Sequence, residues 1–180
     1  VAGRPAGAPV LDPTCESLGV KFPRATRLVI SIAGKKHWLW RAVDQDGYVL
    51  DEIVQNRRNT KAAKRLLMRL LKKQGSAPKR MITDKLRSYG AARRQVMPAV
   101  EHRSHKRLNN RAENSHLPLR KRERTMQGFR SPGSLQRFVS IFSALRNLFV
   151  PPRLKRSALA IYIYRLHAMA EWNAAVGKLA

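Results

Sequence analysis

Hydrophobic and polar positions change their period along this chain, and the changes mark its elements. From Thr26 to Gln55, in TRLVISIAGKKHWLWRAVDQDGYVLDEIVQ, β-branched and aromatic residues alternate with polar ones or form short apolar runs, broken at Gly34-Lys35-Lys36 and again at Asp46-Gly47. Gly-containing breaks between such runs are hairpin signals, so the stretch predicts a three-strand antiparallel meander. The spacing then turns helical. In NTKAAKRLLMRLLKKQG, the side chains of Ala62, Ala63, Leu66, Leu67, Leu70 and Leu71 fall on one stripe, with Asn59 or Thr60 as the cap and Gly75 as the stop.

KRMITDK reads as a fourth strand, reached from the meander by a helical crossover, with Asp84 at its C-terminal end. A short helix over KLRSYGAARRQ and a fifth strand near VEHRS follow. LNNRAENSHLPLRKRERTMQGF is helical in part, with Glu113 early in it, and Pro118 kinks or ends its first half. Two amphipathic helices close the chain on either side of Pro151-Pro152: Leu135, Phe138, Phe142, Leu145 and Phe149 share a face in one, and Leu159, Tyr162, Leu166 and Met169 or Ala170 in the other. Residues 1–24, with four Pro among Gly and Ala, predict an irregular lead-in; 25–150 form the core and 151–180 a helical extension.

Charge adds a partner to this picture. The chain has 37 Lys and Arg against 11 Asp and Glu, a net charge of +26 over 180 residues. Such an excess strains a compact fold unless an anion screens it, and nucleic acid is the first candidate, bound with a steep dependence on salt. DNA and RNA are not distinguished by charge. Cys15 is the single cysteine, so neither an internal disulfide nor a cysteine-based zinc knuckle forms, which fits a reducing compartment and the cytoplasm as default. The longest apolar run, ALAIYIY, falls far short of the roughly 20 residues that a membrane helix requires. No charged start followed by an apolar core marks a signal segment.

A β-meander, a helix, a strand ending in Asp and a later helix bearing Glu make up the plan of the ribonuclease-H-like α/β fold. GKKHWLWRAVDQDGYVLDEIVQ, ITDKLRSYGAA, HRSHKRLNNRAENSH and RKRERTMQGFRS together resemble the catalytic region of DDE transposases from insertion sequences, in particular the IS-six group, over about residues 27–173. The resemblance implies DNA cleavage and strand transfer, with two Mg²⁺ or Mn²⁺ ions activating the attacking oxygen and stabilising the leaving one. Carboxylates are required because Mg²⁺ is a hard cation that takes oxygen ligands. Asp84 matches the second catalytic and metal-ligating position and Glu113 the third. Lys85, Arg87, Lys106, Arg111, Arg120, Lys121, Arg122, Arg124 and Arg130 are the candidate DNA contacts, on transposon ends and target DNA. The resemblance further implies a homo-oligomer in full-length relatives, no membrane association, and a nucleoid-associated place in the cytoplasm.

Two departures weaken the expected activity. The family's Asp-Glu at the first strand is replaced by Thr26-Arg27, and Thr supplies no ionised carboxylate. Asp44 is a substitute only under one register: a three-residue turn at 34–36 sets it opposite Thr26, about 5 Å away, whereas a two-residue turn sets Val43 there. Loss of cutting is therefore expected. Residues 1–24 cannot hold the helix-turn-helix that precedes the family's catalytic domain, and the chain opens on Val1 rather than Met. These features predict a truncated or frame-disrupted copy.

Simpler readings stand beside these. Asp84 also suits a helix N-cap, and Glu113 a solvated acid paired with Arg111. His102, His105 and His116 have no zinc spacing and are read as surface or DNA-contacting. The basic run from Arg120 to Arg130 is either a solvated face or a phosphate-contacting one. Trp38, Trp40 and Trp172 are read as packing residues. The alternative to a transposase is a non-catalytic basic nucleic-acid-binding protein, which needs the charge but no shared carboxylate cleft.

Overall fold

A computed structural model describes residues 23–84, 86–104, 109–151 and 157–177. Three antiparallel strands, β1 (Arg24–Ile32), β2 (Lys35–Val43) and β3 (Val49–Gln55), lead into helix α1 (Thr60–Gln74). Strand β4 (Arg80–Thr83), helix α2 (Arg87–Val96) and strand β5 (Glu101–Ser104) follow, and then the short helices α3 (Asn110–Asn114) and α4 (Leu117–Thr125). The long helices α5 (Pro132–Phe149) and α6 (Ala158–Gly177) complete the described chain. The strands make one sheet in the order β3-β2-β1-β4-β5, with β1, β2 and β3 antiparallel and β4 and β5 running parallel to β1.

The predicted elements are present, and their ends have the expected chemistry. Asn59 caps α1 by accepting the Ala62 N–H at 3.0 Å, and Gly75 closes it in the left-handed conformation at φ 71°. Pro118 starts α4 instead of interrupting it, so the predicted break falls at Ser115-His116, where neither a strand nor a helix runs. Most of the lead-in lies outside the described residues. Its last two, Pro23 and Arg24, belong to the sheet: the Pro23 carbonyl accepts the Ile82 N–H at 3.0 Å and Arg24 opens β1.

Side chains on the two sides of the sheet build two cores, because neighbours along a strand point to opposite faces. Trp40, Ala42 and Ile53 pack against Ala63, Leu66, Leu67 and Leu70 of α1 and Tyr89 of α2. On the other face Leu28, Ile30, Ile32 and Leu39 meet Leu119 of α4 and Leu135 and Val139 of α5. Trp40 is fully buried and meets Tyr89 edge to face at 5.2 Å, while Trp38 is half-buried against the first core and Trp172 contacts Phe149 at 6.1 Å. Burying these side chains is the main stabilising term, at about 25 cal/mol per Å² of apolar area.

The first hairpin corrects the expected register. Its turn is Ala33-Gly34, one residue earlier than Gly34-Lys35, with both residues at positive φ (49° and 74°) as a two-residue primed turn requires. Ile32 pairs with Lys35, so Thr26 lies opposite Arg41 and neither Val43 nor Asp44. Helix α6 is packed lightly. Ala168 is buried and the Tyr164 hydroxyl donates to the Asn147 carbonyl at 3.0 Å, but Leu159, Tyr162, Ile163, Leu166 and Met169 are exposed. Among the described residues no helix is long and apolar enough to cross a membrane.

Candidate active site

One row of side chains across the sheet organises the site. In β3 and β2, Glu52 pairs with Arg41; in β2 and β1, Arg41 pairs with Thr26. Strands β1 and β4 run parallel with Ala25 beside Thr83, and the residues that follow them, Thr26 in β1 and Asp84 just beyond β4, line the same cleft. Thr26 therefore stands on the strand next to Asp84, where a carboxylate pair would form if both residues were acids. Its main chain is fixed from the other layers: the Tyr89 hydroxyl of α2 donates to the Thr26 carbonyl at 2.9 Å, and Asn109 Nδ2 donates to the Ala25 carbonyl at 3.3 Å.

Arg41 ties this row to the segment that bears Glu113. It is 1% exposed, and its Nε and Nη2 donate to Glu52 Oε2 at 2.9 and 2.7 Å. Its Nη1 donates to the Ser115 carbonyl at 2.6 Å, two residues after Glu113. The α3–α4 junction is thus held against the sheet by a buried guanidinium.

Asp84 and Glu113 line one cleft of about 440 Å³, together with Thr26, Arg27, Trp38, Arg58, His116 and Arg120. Burial raises the Asp84 pKa above the usual carboxylate value and the negative charge of Glu113 adds to the rise, against the Leu86 N–H bond and Arg27, which lower it. Asp84 does not cap α2. The N-cap is Leu86, whose N–H donates to Asp84 Oδ1 at 3.3 Å, leaving Oδ2 3.9 Å from Arg27 Nε.

Asp44 is engaged elsewhere. Its Oδ1 accepts the N–H groups of Asp46, Gly47 and Tyr48 at 2.8, 2.7 and 2.9 Å, shaping the turn between β2 and β3, and it does not line the cleft. The register that would make it a substitute ligand is absent.

Of the predicted DNA contacts, Arg120 lines the cleft, with an ion pair to Glu123 at 3.4 Å. Lys121, Arg122 and Arg124 lie exposed on α4, Arg130 is exposed beyond it, and Arg87 is exposed at the start of α2. Lys85, Lys106 and His105 lie outside the described residues, and Arg111 is placed only by its backbone in α3. His116 overturns its surface reading. It is 5% exposed, lines the cleft, and has its pKa lowered to about 3 by burial and by the nearby Arg41 and Arg120. His102 is half-buried and shares a 2.8 Å hydrogen bond with Thr83 Oγ1. Arg27 and Arg58 were not candidates from sequence: one lies in a strand and the other in the link to α1, and both are distant along the chain from Asp84 and Glu113.

The donor set does not fit a two-ion centre. A hard divalent pair calls for several oxygen ligands, and the cleft offers two carboxylates, with a Thr in the row beside Asp84 and a guanidinium facing it. Among the described residues no group of three or more His, Cys, Asp or Glu is placed to hold a metal.

Comparison with known proteins places this geometry in a family. A family profile described as a DDE domain matches residues 24–150. The transposase of the insertion sequence-like element IS431mec from Staphylococcus aureus strain Mu50 is 29% identical over 127 residues, covering 68% of this chain and 56% of the relative. This chain thus spans little more than half the length of the curated relatives it matches. The catalytic domain of Mos1 mariner transposase shares the fold at a TM-score of 0.52 and 14% identity, over 73% of each chain. The catalytic core of BIV integrase shares it at 0.52 and 15% identity, over 85% of this chain and 98% of its own. The α/β fold is that of ribonuclease-H-like integrase and transposase cores, and the chain belongs to the DDE-domain family of transposases, in the IS-six group.

Proposed function

We propose that this chain is a transposase catalytic-core domain that binds DNA over the face bearing the cleft and has lost phosphoryl transfer through the replacement of its first ligand by Thr26. One observation carries the reading: Glu52 pairs with Arg41 and Arg41 with Thr26 across the sheet, and Thr26 lines one cleft with Asp84 and Glu113, so a hydroxyl stands where the family relation calls for a first carboxylate. Divalent-metal dependence belongs to the family. Here Asp84 and Glu113 match two of the family's three carboxylate positions and by themselves do not make a two-ion site, so restoring the third is the direct test. Arg120, Lys121, Arg122, Arg124 and Arg130 supply phosphate contacts that set position without reading sequence. By the same family relation the partners are transposon ends, target DNA and further copies of the chain.

The experiment is cleavage of labelled linear DNA carrying candidate terminal repeats, with Mg²⁺ or Mn²⁺, by the natural chain, Asp84→Ala and Thr26→Asp. The expected result is cutting by Thr26→Asp alone. Cutting by the natural chain that Asp84→Ala abolishes would show that two carboxylates suffice and would sink the reading of lost activity. If none of the three cuts and all bind DNA, the chain is the basic nucleic-acid-binding protein of the alternative reading.

A further inference from the structure

The cleft beside Asp84 carries more positive than negative charge. Arg27, Arg58 and Arg120 line it against Asp84 and Glu113, around the buried Thr26 and His116. Asp84 does not neutralise Arg27 closely: 3.9 Å separates Oδ2 from Nε, beyond hydrogen-bonding range, and that Nε is buried without a hydrogen-bond partner. Burial lowers the Arg27 pKa and the nearby Arg58 lowers it further, so two like charges approach each other here. Such an approach is stabilised by an anion that both can reach. His116 adds an unused donor: neither ring nitrogen has a hydrogen-bond partner, and a neutral imidazole keeps one N–H to give.

We propose that the cleft receives a phosphodiester of a DNA backbone directly on Arg27, Arg58 and Arg120, with no divalent ion between protein and phosphate. A guanidinium presents paired N–H groups that match two phosphate oxygens, which makes Arg the side chain for this contact. The buried Arg27 Nε and a His116 N–H are further donors to the same anion. Asp84 then serves to orient Arg27, and Thr26 leaves uncharged the place where a carboxylate would repel the phosphate. This inference rests on the cleft facing DNA, and goes beyond it by naming the group bound and the residues that bind it.

The test follows the arginine Nε–H resonances of the full chain by nitrogen-15 NMR during titration with inorganic phosphate and, separately, the dinucleotide dTpT, at constant ionic strength in chloride. Arg27 is expected to saturate with both probes, while Arg65 and Arg137, outside the cleft, drift without saturating. Arg58→Gln, at an exposed position, and Arg27→Lys, which keeps the charge and loses the fork, are each expected to weaken binding roughly tenfold. Millimolar Mg²⁺ is expected to leave the Arg27 titration unchanged. The proposal is overturned if Arg27 drifts like Arg65, if phosphate saturates it and dTpT does not, or if saturation requires Mg²⁺. A gel shift with duplex DNA separates the two readings: DNA binding without Arg27 saturation removes the phosphate site alone, and Arg27 saturation without DNA binding removes the DNA-binding reading and its backbone phosphate together.

Discussion

His116 shows how position overrides residue type. Burial, then Arg41 and Arg120, hold its pKa at about 3, against an ordinary value of 6.5. Between those values the unfolded chain binds a proton that the folded chain does not, so this residue's contribution to stability is complete above about pH 6.5 and is lost progressively as the pH falls toward 3. The slope in that window approaches about 1.4 kcal/mol per pH unit. We expect the urea midpoint of the natural chain to fall more steeply between pH 7 and pH 4 than that of His116→Gln; parallel curves would refute a buried neutral imidazole. Sequence gave no sign of this burial. His116 stands between the polar Asn114-Ser115 and Leu117-Pro118-Leu119, with no period that marks it as a core position, and what encloses it is the fold of α3 and α4 against the sheet, together with Arg41 from β2.

Among elements, the hinge of the site is the contact of β2 with the α3–α4 junction through Arg41. Removing the guanidinium leaves Glu52 buried with an uncompensated charge and frees the Ser115 carbonyl. Arg41→Met should therefore cost about 3 kcal/mol in denaturant unfolding. In the double variant with Glu52→Leu much of that loss should return, because no buried charge remains; no recovery would show that the Ser115 contact carries the effect. The order of strands and helices was legible because each element has its own period and its own end signals, such as the Asn59 cap and the Gly75 stop of α1. Asp84 and Glu113 were singled out through the flanking strings that resemble one family; the structure brings both to one cleft, and their role there belongs to the proposal. The register of the first hairpin was not, because Gly34 suits the first place of a turn as well as the second, and a shift by one residue changes every cross-strand partner. With the register went Arg41, whose place beside Thr26 depends on it. Arg27 and Arg58 were hidden for a related reason: their convergence is long-range.

For the whole molecule the dominant quantity is a net charge of +26. DNA affinity should fall steeply and linearly in log–log form as salt rises, with a slope near −0.9 for each phosphate neutralised. Arg122→Gln and Arg124→Gln together should flatten that slope by roughly two such increments, measured by fluorescence anisotropy; an unchanged slope would place the DNA away from α4. Helix α6 stands apart from this balance. Its sequence, ALAIYIYRLHAMAEWNAAVG, carries one Arg and one Glu, and much of its apolar surface is exposed. The chain thus pairs a strongly like-charged surface with an exposed apolar helix, and we expect repulsion between copies, which at low salt acts over a longer range than contact between two helices, to hold them apart. Shortening that range with salt should turn the solution cloudy at a threshold that Leu166→Glu moves upward, as static light scattering would record.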